Sequence, residues 1–138
     1  MSQLILDDQL DVTEVLVPIR KWITAQRLQD LRPGELVRDD RVPEILLTLQ
    51  SPTFVTIDQD FWDVRLCHPD YCILYFALRD DQQEILPGLL RTLLRRQEFR
   101  SRATRMGKVA RVGTKAVAYW EFRVRLLKSI QWKIRRRR

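Results

Sequence analysis

The fold is decided by the stretch Phe54-Val-Thr-Ile-Asp58-Gln-Asp60-Phe-Trp62, in which a β-branched and aromatic run leads into two acidic residues. The run from Thr53 to Ile57 contains no Gly or Pro and is predicted to form a buried strand. Ligands of open α/β sheets bind just beyond the carboxyl ends of the strands. Packing explains an acidic pair there poorly, because burying two like charges is costly without a cation or hydrogen bonds. We therefore predict a divalent-metal site at this strand end.

The same arrangement occurs at two other predicted strands. Leu4-Ile-Leu6 runs directly into Asp7-Asp8, and Cys72 to Leu78 is followed by Arg79-Asp80-Asp81. Three apolar strands that each end in acidic residues predict one negatively charged crevice at the edge of a parallel sheet. Asp7 is the first candidate ligand in this crevice, although an Asp that begins a turn would have the same position. Carboxylates at such spacing suit Mg²⁺ or Mn²⁺.

A short helix from Asp40 to Gln50 could add further carboxylates. Pro43 is tolerated in its first turn, and Asp40 or a neighbour is expected to cap it. Asp40 and Glu44 are four residues apart and therefore share one helix face. Helix capping alone would explain an acidic residue at position 40, and exposure to solvent would explain one at position 44. Both residues stay open as ligands.

A length of 138 residues suits a single domain. The remaining elements are therefore predicted to belong to the same α/β fold. Thr24 to Leu31 fits either a short strand or a helix end. The other expected elements are a helix interrupted at Pro18 (11–22), a long helix (82–99), two strands around Gly113 (108–122), a basic amphipathic helix (123–134) and a mobile tail (135–138).

Charge is distributed unevenly along the chain. Residues 1–70 contain 7 Lys and Arg against 13 Asp and Glu, whereas residues 71–138 contain 18 against 5. An acidic half that holds cations and a basic half that holds phosphates would suit a metal-dependent enzyme acting on a polyanion. A solvated basic face or an acidic protein partner would give the same balance.

The basic half offers specific candidates for nucleic-acid binding. Basic side chains interleaved with Tyr119 and Trp120 suit a nucleic-acid backbone with unpaired bases. A partner helix groove or an anionic membrane surface are weaker alternatives for the segment 123–134. The six candidate residues are Arg100, Arg102, Arg105, Lys108, Arg111 and Lys115.

Other classes of protein fit less well. No apolar run approaches the ~18 residues that span a bilayer, so a soluble, cytoplasmic protein without a membrane partner is expected. The four scattered glycines form no phosphate-binding loop. Cys67, His68 and Cys72 supply only three ligands without the spacing of paired zinc knuckles, so reduced thiols are favoured over zinc.

The strand ends resemble a known family. The segments 4–10, Asp40 before a helix, Thr56-Ile-Asp-Gln-Asp-Phe61 and the strand at 72–78 resemble a PIN-like domain, in particular the compact PIN-like toxins of bacterial toxin–antitoxin modules. The resemblance covers roughly residues 3–100, and the block from Thr56 to Phe61 is its most specific part.

The resemblance implies a three-layer α/β/α sandwich with a mostly parallel sheet over residues 1–100. It also implies a Mg²⁺- or Mn²⁺-dependent ribonuclease that uses a metal-activated water, with Asp7, Asp58 and Asp60 as metal carboxylates. Asp40 would take the acidic position on the helix, or Glu44 if the register shifts. The basic extension at 101–138, a β-hairpin and a helix packed on or beside this domain, is not part of the motif. RNA, an antitoxin protein and a second copy of the chain are the candidate partners.

Two alternatives remain. A catalytically inactive PIN-like protein could bind nucleic acid or an antitoxin without cutting. A phosphoacceptor receiver domain also uses an acidic pair, here Asp7 and Asp8, and a later aspartate, here Asp58, with Lys108 as its lysine. No proline follows Lys108 and no Met-Pro-Gly turn follows Asp58, so the receiver ranks last.

Overall fold

Seven strands form one sheet in the computed structural model, which describes residues 3–124 and 126–132. Their order is β2-β1-β3-β4-β5-β6-β7, with the first five parallel and the last two antiparallel. The predicted α/β class is confirmed. The strands are β1 (Gln3–Leu6), β2 (Ala25–Arg27), β3 (Pro52–Thr56), β4 (Cys72–Phe76), β5 (Lys108–Val112), β6 (Ala116–Glu121) and β7 (Lys128–Gln131).

Short helices connect the parallel strands. Pro18, Pro43 and Pro87 each occupy the first turn of a helix. Proline is tolerated there because the N–H groups of the first turn have no hydrogen-bond partner within the helix. The predicted helix at 11–22 is therefore divided into a wider, π-helical turn and a short α-helix, and the one at 82–99 into a tighter, 3-10 turn and a short α-helix. The α-helices are α1 (Val17–Arg20), α2 (Leu28–Leu31), α3 (Val42–Leu47), α4 (Leu86–Leu94) and α5 (Arg102–Arg105). A π-helical turn covers Val12–Leu16, and 3-10 turns cover Asp39–Arg41, Gln59–Phe61, Val64–Leu66 and Asp80–Ile85. Within the described ranges no helix has the length and apolarity to cross a membrane.

Both faces of the sheet are apolar. In β1, Leu4 and Leu6 belong to one buried cluster and Ile5 belongs to another. Helices α1 and α4 contribute to the first cluster, and α2 and α3 contribute to the second. Strands buried on both faces appear in sequence as continuous apolar runs, which is why β1, β3 and β4 were predictable. We call the side that carries Ile5 and Val109 the α3 face.

Strand order places a crevice beside β1. Strand β1 lies between β2 and β3, so the chain leaves β1 toward one side and later returns on the other. In doubly wound sheets of order 2-1-3-4-5, ligands bind at this switch point between the carboxyl ends of β1 and β3. The two strands that end at Asp7 and Asp58 are therefore neighbours at this edge.

The C-terminal part differs from the prediction. The helix expected at 123–134 is wrong, because Lys128–Gln131 forms β7 and pairs antiparallel with β6. Ile130 is buried between exposed neighbours, a period-two pattern that suits an edge strand, while Leu126 and Leu127 remain exposed. Strand β5 pairs with β4, so the described part of 101–138 completes the same sheet. The tail expected at 135–138 lies outside the described residues.

Candidate metal centre

Asp7 is fixed at the carboxyl end of β1 by a threonine of the neighbouring strand. Its side chain is 6% exposed, and its Oδ2 accepts a 2.7 Å hydrogen bond from Thr56 Oγ1. The same Thr56 oxygen accepts a hydrogen bond from the Asp58 N–H at 3.0 Å. One hydroxyl therefore holds the first aspartate and the turn that carries the others.

Asp58 and Asp60 are positioned by a tight turn. Asp58 caps the 3-10 turn Gln59–Phe61, and its Oδ1 accepts the Asp60 N–H at 2.9 Å. Phe61 is 2% exposed and packs edge-on against Phe54 with ring centroids 5.1 Å apart. This buried aromatic anchors the turn, so that both carboxylates stay at the crevice.

A third segment adds Asp39. It is the first residue of the 3-10 turn that precedes α3, and α3 buries Val42, Ile45 and Leu46 against the sheet. One carboxylate oxygen from each of Asp39, Asp58 and Asp60 lies within 4.8 Å of the other two. We call these three residues the carboxylate cluster.

The cluster has the electrostatics of an anion-rich site. Partial desolvation, a hydrogen bond with Asp58 and the charges of nearby aspartates raise the pKa of Asp39 to about 6. Burial is the largest cause that raises the pKa of Asp7, and the hydrogen bond from Thr56 opposes it. A cation placed among these oxygens would favour the charged form of both carboxyl groups and so oppose the desolvation and the repulsion that raise their pKa values.

The donor set fits a hard divalent cation. Three carboxylate oxygens from two segments converge, which is the ligand type that Mg²⁺ and Mn²⁺ prefer. A cleft of about 310 Å³ adjoins the cluster and leaves room for a substrate. The residues that line it are Asp39, Asp40, Pro43, Asp60, Phe61, Asp63 and Leu66.

The predicted acidic residues are only partly brought together. Asp58 and Asp60 lie in the cluster, and Asp7 is close enough for its charge to act on Asp39. Asp40 lines the cleft but is outside the cluster. Glu44 points toward Arg41, with Arg41 Nε 3.5 Å from its carboxylate. Asp39, which the sequence interpretation passed over, takes the position expected for Asp40 or Glu44.

The six basic residues predicted to bind nucleic acid include both buried and exposed side chains. Arg105 is 1% exposed, its Nε donates to Thr53 Oγ1 at 3.0 Å and its Nη1 donates to the Phe99 carbonyl at 3.0 Å. Lys108 is 8% exposed, and its Nζ donates to the Glu98 carbonyl at 2.6 Å. These two are placed to support the fold. Arg100, Arg111 and Lys115 are exposed, and Arg102 is half-buried.

The cysteines and the histidine have structural surroundings. Cys67 and Cys72 are buried, and burial raises the pKa of the Cys72 thiol to about 12. His68 Nδ1 accepts the Asp70 N–H at 3.1 Å. Within residues 3–124 and 126–132 these side chains join no group of three metal-ligating residues.

Comparison with protein-family models, with curated proteins and with solved structures gives no match for this chain.

Removing the Asp39 charge is expected to change how stability depends on pH. A carboxyl group whose folded pKa is about 6, against 3.8 in the unfolded chain, contributes stability below pH 3.8 that is lost as the pH rises through 6. In EDTA, Asp39→Asn should therefore melt about 2–4 °C above the wild type at pH 8 and lose this advantage near pH 4. Thermal unfolding from pH 4 to 8 measures this.

Asp40→Asn is the matched control, because it makes the same charge change one residue outside the cluster. Its melting profile should follow that of the wild type. Identical profiles for Asp39→Asn and the wild type would show that folding does not raise the pKa of Asp39.

Proposed function

We propose that this protein is a metal-dependent ribonuclease with a PIN-like, three-layer α/β/α arrangement. The observation that carries the proposal is the convergence of Asp39, Asp58 and Asp60 at the switch point of the sheet, with Asp7 beside them. Such a cluster is expected to hold Mg²⁺ or Mn²⁺. The basic surface of the second half supplies charge for an RNA backbone.

The residues of the chain have distinct roles in this proposal. Asp39, Asp58 and Asp60 would hold the cation, and Asp7, oriented by Thr56, would add negative charge near them. A bound Mg²⁺ or Mn²⁺ supplies Lewis-acid activation of water and stabilises charge on the scissile phosphate. The cleft beside Asp60 and Leu66 accepts the nucleotide next to that phosphate. No nucleophilic side chain is needed.

Titration with Mn²⁺ or Mg²⁺, followed in parallel by calorimetry and by cleavage of single-stranded RNA, tests the proposal. Cleavage that rises with occupancy of the metal site supports a nuclease. Metal binding without cleavage would favour the inactive PIN-like alternative that binds nucleic acid or an antitoxin. Absence of metal binding would overturn the site.

A toxin of a toxin–antitoxin module is the biological setting that we propose. Its partners would be RNA, an antitoxin protein and a second copy of the chain. The receiver-like alternative shares the strand order 2-1-3-4-5. It is disfavoured because Lys108 begins β5 and Asp58 follows the end of β3, so the two lie at opposite edges of parallel strands. Failure of acetyl phosphate to label Asp58 would exclude it.

Thr56→Val is expected to weaken the metal site without removing any charge. Valine has the same shape but cannot donate to Asp7 Oδ2 or accept from the Asp58 N–H. Residues that orient metal ligands typically contribute about 10–100-fold in affinity, and we expect a loss in that range for Mn²⁺, measured by calorimetry. Thr56→Ser keeps the hydroxyl and should retain near-normal affinity. Equal Mn²⁺ affinity in Thr56→Val and Thr56→Ser would show that the Thr56 hydroxyl does not support the metal site.

A further inference from the structure

A row of side chains leads from the metal-site edge of β1 across the sheet to an arginine on β5. The Thr56 hydroxyl donates a hydrogen bond to Asp7. Thr56 lies opposite Tyr75 on the neighbouring strand β4, and Tyr75 lies opposite Arg111 on β5. Paired residues in a sheet point to the same side, so these four side chains share one face. It is the α3 face, because Arg111 lies two residues after Val109.

The length of this row suits an extended polyanion. Neighbouring strands are about 4.8 Å apart, so the Cα of Arg111 lies roughly 10 Å from that of Thr56 and roughly 14 Å from that of Asp7. A phosphodiester chain with one phosphate at the carboxylate cluster would pass along this edge toward β5. Thr56 and Tyr75 are themselves buried, so the row only sets the spacing of a track whose anionic end is Asp7 and whose cationic end is Arg111.

Arg111 and Lys115 are available to bind an anion. Both are exposed, and neither forms an ion pair with any residue in the ranges 3–124 and 126–132. They line a cleft of about 270 Å³ at the carboxyl ends of β4 and β5. Arg79, at the same edge, is by contrast paired with Asp81 at 3.0 Å.

An aromatic pair lies on the same face of the sheet as Arg111. Trp120 pairs with Val109 on the same face, and its ring is stacked on that of Trp62 with centroids 3.9 Å apart. Both indoles are half-buried, and Trp62 lies two residues after Asp60. Aromatic faces beside a basic groove are typical of binding to unpaired bases.

We propose that Arg111, assisted by Lys115, binds a backbone phosphate of single-stranded RNA and so positions the strand for the carboxylate cluster. This deepens the proposed function and rests on it for the identity of the polyanion. The arginine fork suits two phosphate oxygens at once. Arg105 and Lys108 have no part in this track, since both are buried at the amino ends of the strands.

The test is fluorescence anisotropy of a labelled single-stranded RNA of about 12 nucleotides with the full chain in EDTA, at several salt concentrations. Arg111→Gln should raise Kd about tenfold and reduce the slope of log K against log salt by about 0.7. Arg111→Lys should lose about threefold, because it keeps the charge without the fork. The matched control is Arg95→Gln, an exposed arginine of the same basic half at the end of α4, which packs on the opposite face of the sheet; it should change Kd less than about twofold.

The outcomes separate this inference from the proposed function. Equal losses in Arg111→Gln and Arg95→Gln would overturn the track in favour of a diffuse basic face, as would no loss in Arg111→Gln. A selective loss in Arg111→Gln from a wild type that binds RNA but never cleaves it would retain the track and refute the nuclease. Metal-dependent cleavage with RNA affinity unchanged in Arg111→Gln would retain the nuclease and refute the track.

Discussion

Asp58→Asn is expected to abolish metal-dependent RNA cleavage, with a loss of about 10³-fold or more. Asp58 contributes a carboxylate to the cluster and also caps the turn that presents Asp60. Asparagine can retain the cap through its side-chain oxygen, so the turn should persist while one negative charge disappears. The loss therefore reports on the charge of the cluster.

The same variant should be more stable than the wild type when metal is absent. Removing one of several repelling carboxylates is expected to raise the melting temperature in EDTA by about 2–4 °C. Lower activity together with higher metal-free stability distinguishes a binding site from a structural element. A variant that is both inactive and less stable would instead indicate that Asp58 supports the fold.

Asp81→Asn is a suitable control for this experiment. It makes the same charge change at an exposed residue after β4, where Asp81 is paired with Arg79 outside the cluster. Its cleavage rate and its Mn²⁺ affinity should remain within about twofold of the wild type. A comparable loss in Asp81→Asn would mean that general negative charge, and not the cluster, supports activity.

Arg105→Ala is expected to reduce the free energy of unfolding by roughly 3–5 kcal/mol. The substitution leaves the Thr53 hydroxyl and the Phe99 carbonyl without their buried donor and opens a cavity between β3 and the segment before β5. Urea denaturation measures the change, with a lower midpoint and an unchanged slope as the expected pattern. If Arg105→Ala does not fold, Thr53→Val removes one of the same bonds at a cost of about 1–2 kcal/mol.

Arg102→Ala supplies the comparison, because Arg102 lies on the same short helix and is only half-buried. Its effect should remain within about 0.5 kcal/mol. A stable Arg105→Ala protein with weakened RNA binding would restore the nucleic-acid role that the sequence suggested for this residue.

The strands were predictable because their signals are local. Continuous apolar runs identified β1, β3 and β4, and Gly113 separated β5 from β6 as expected. The C-terminal segment was not predictable in the same way. Its basic residues suggested an amphipathic helix, but backbone pairing with β6 and the burial of Ile130 favour a strand, and both depend on contacts distant in sequence.

The candidate site was predictable where one turn contains the ligands. Asp58 and Asp60 are two residues apart and share a hydrogen bond, so their proximity follows from local sequence. The choice between Asp39 and Asp40 does not, because capping preferences apply equally to both. It depends on where α3 packs against the sheet, and the 3-10 turn begins at Asp39 with Arg38 as its cap. The burial of Arg105 likewise arises from acceptors on separate segments.

The carboxylate cluster joins parts of the chain that are far apart in sequence. Asp39 and Asp58 lie 19 positions apart, and the segment between them contains α3 and β3. A cation held by both would link the two ends of this segment in the folded chain only, so its binding free energy would add to the free energy of unfolding. Under the proposed function, a higher concentration of divalent ions would therefore raise the stability of the folded chain as well as support RNA cleavage.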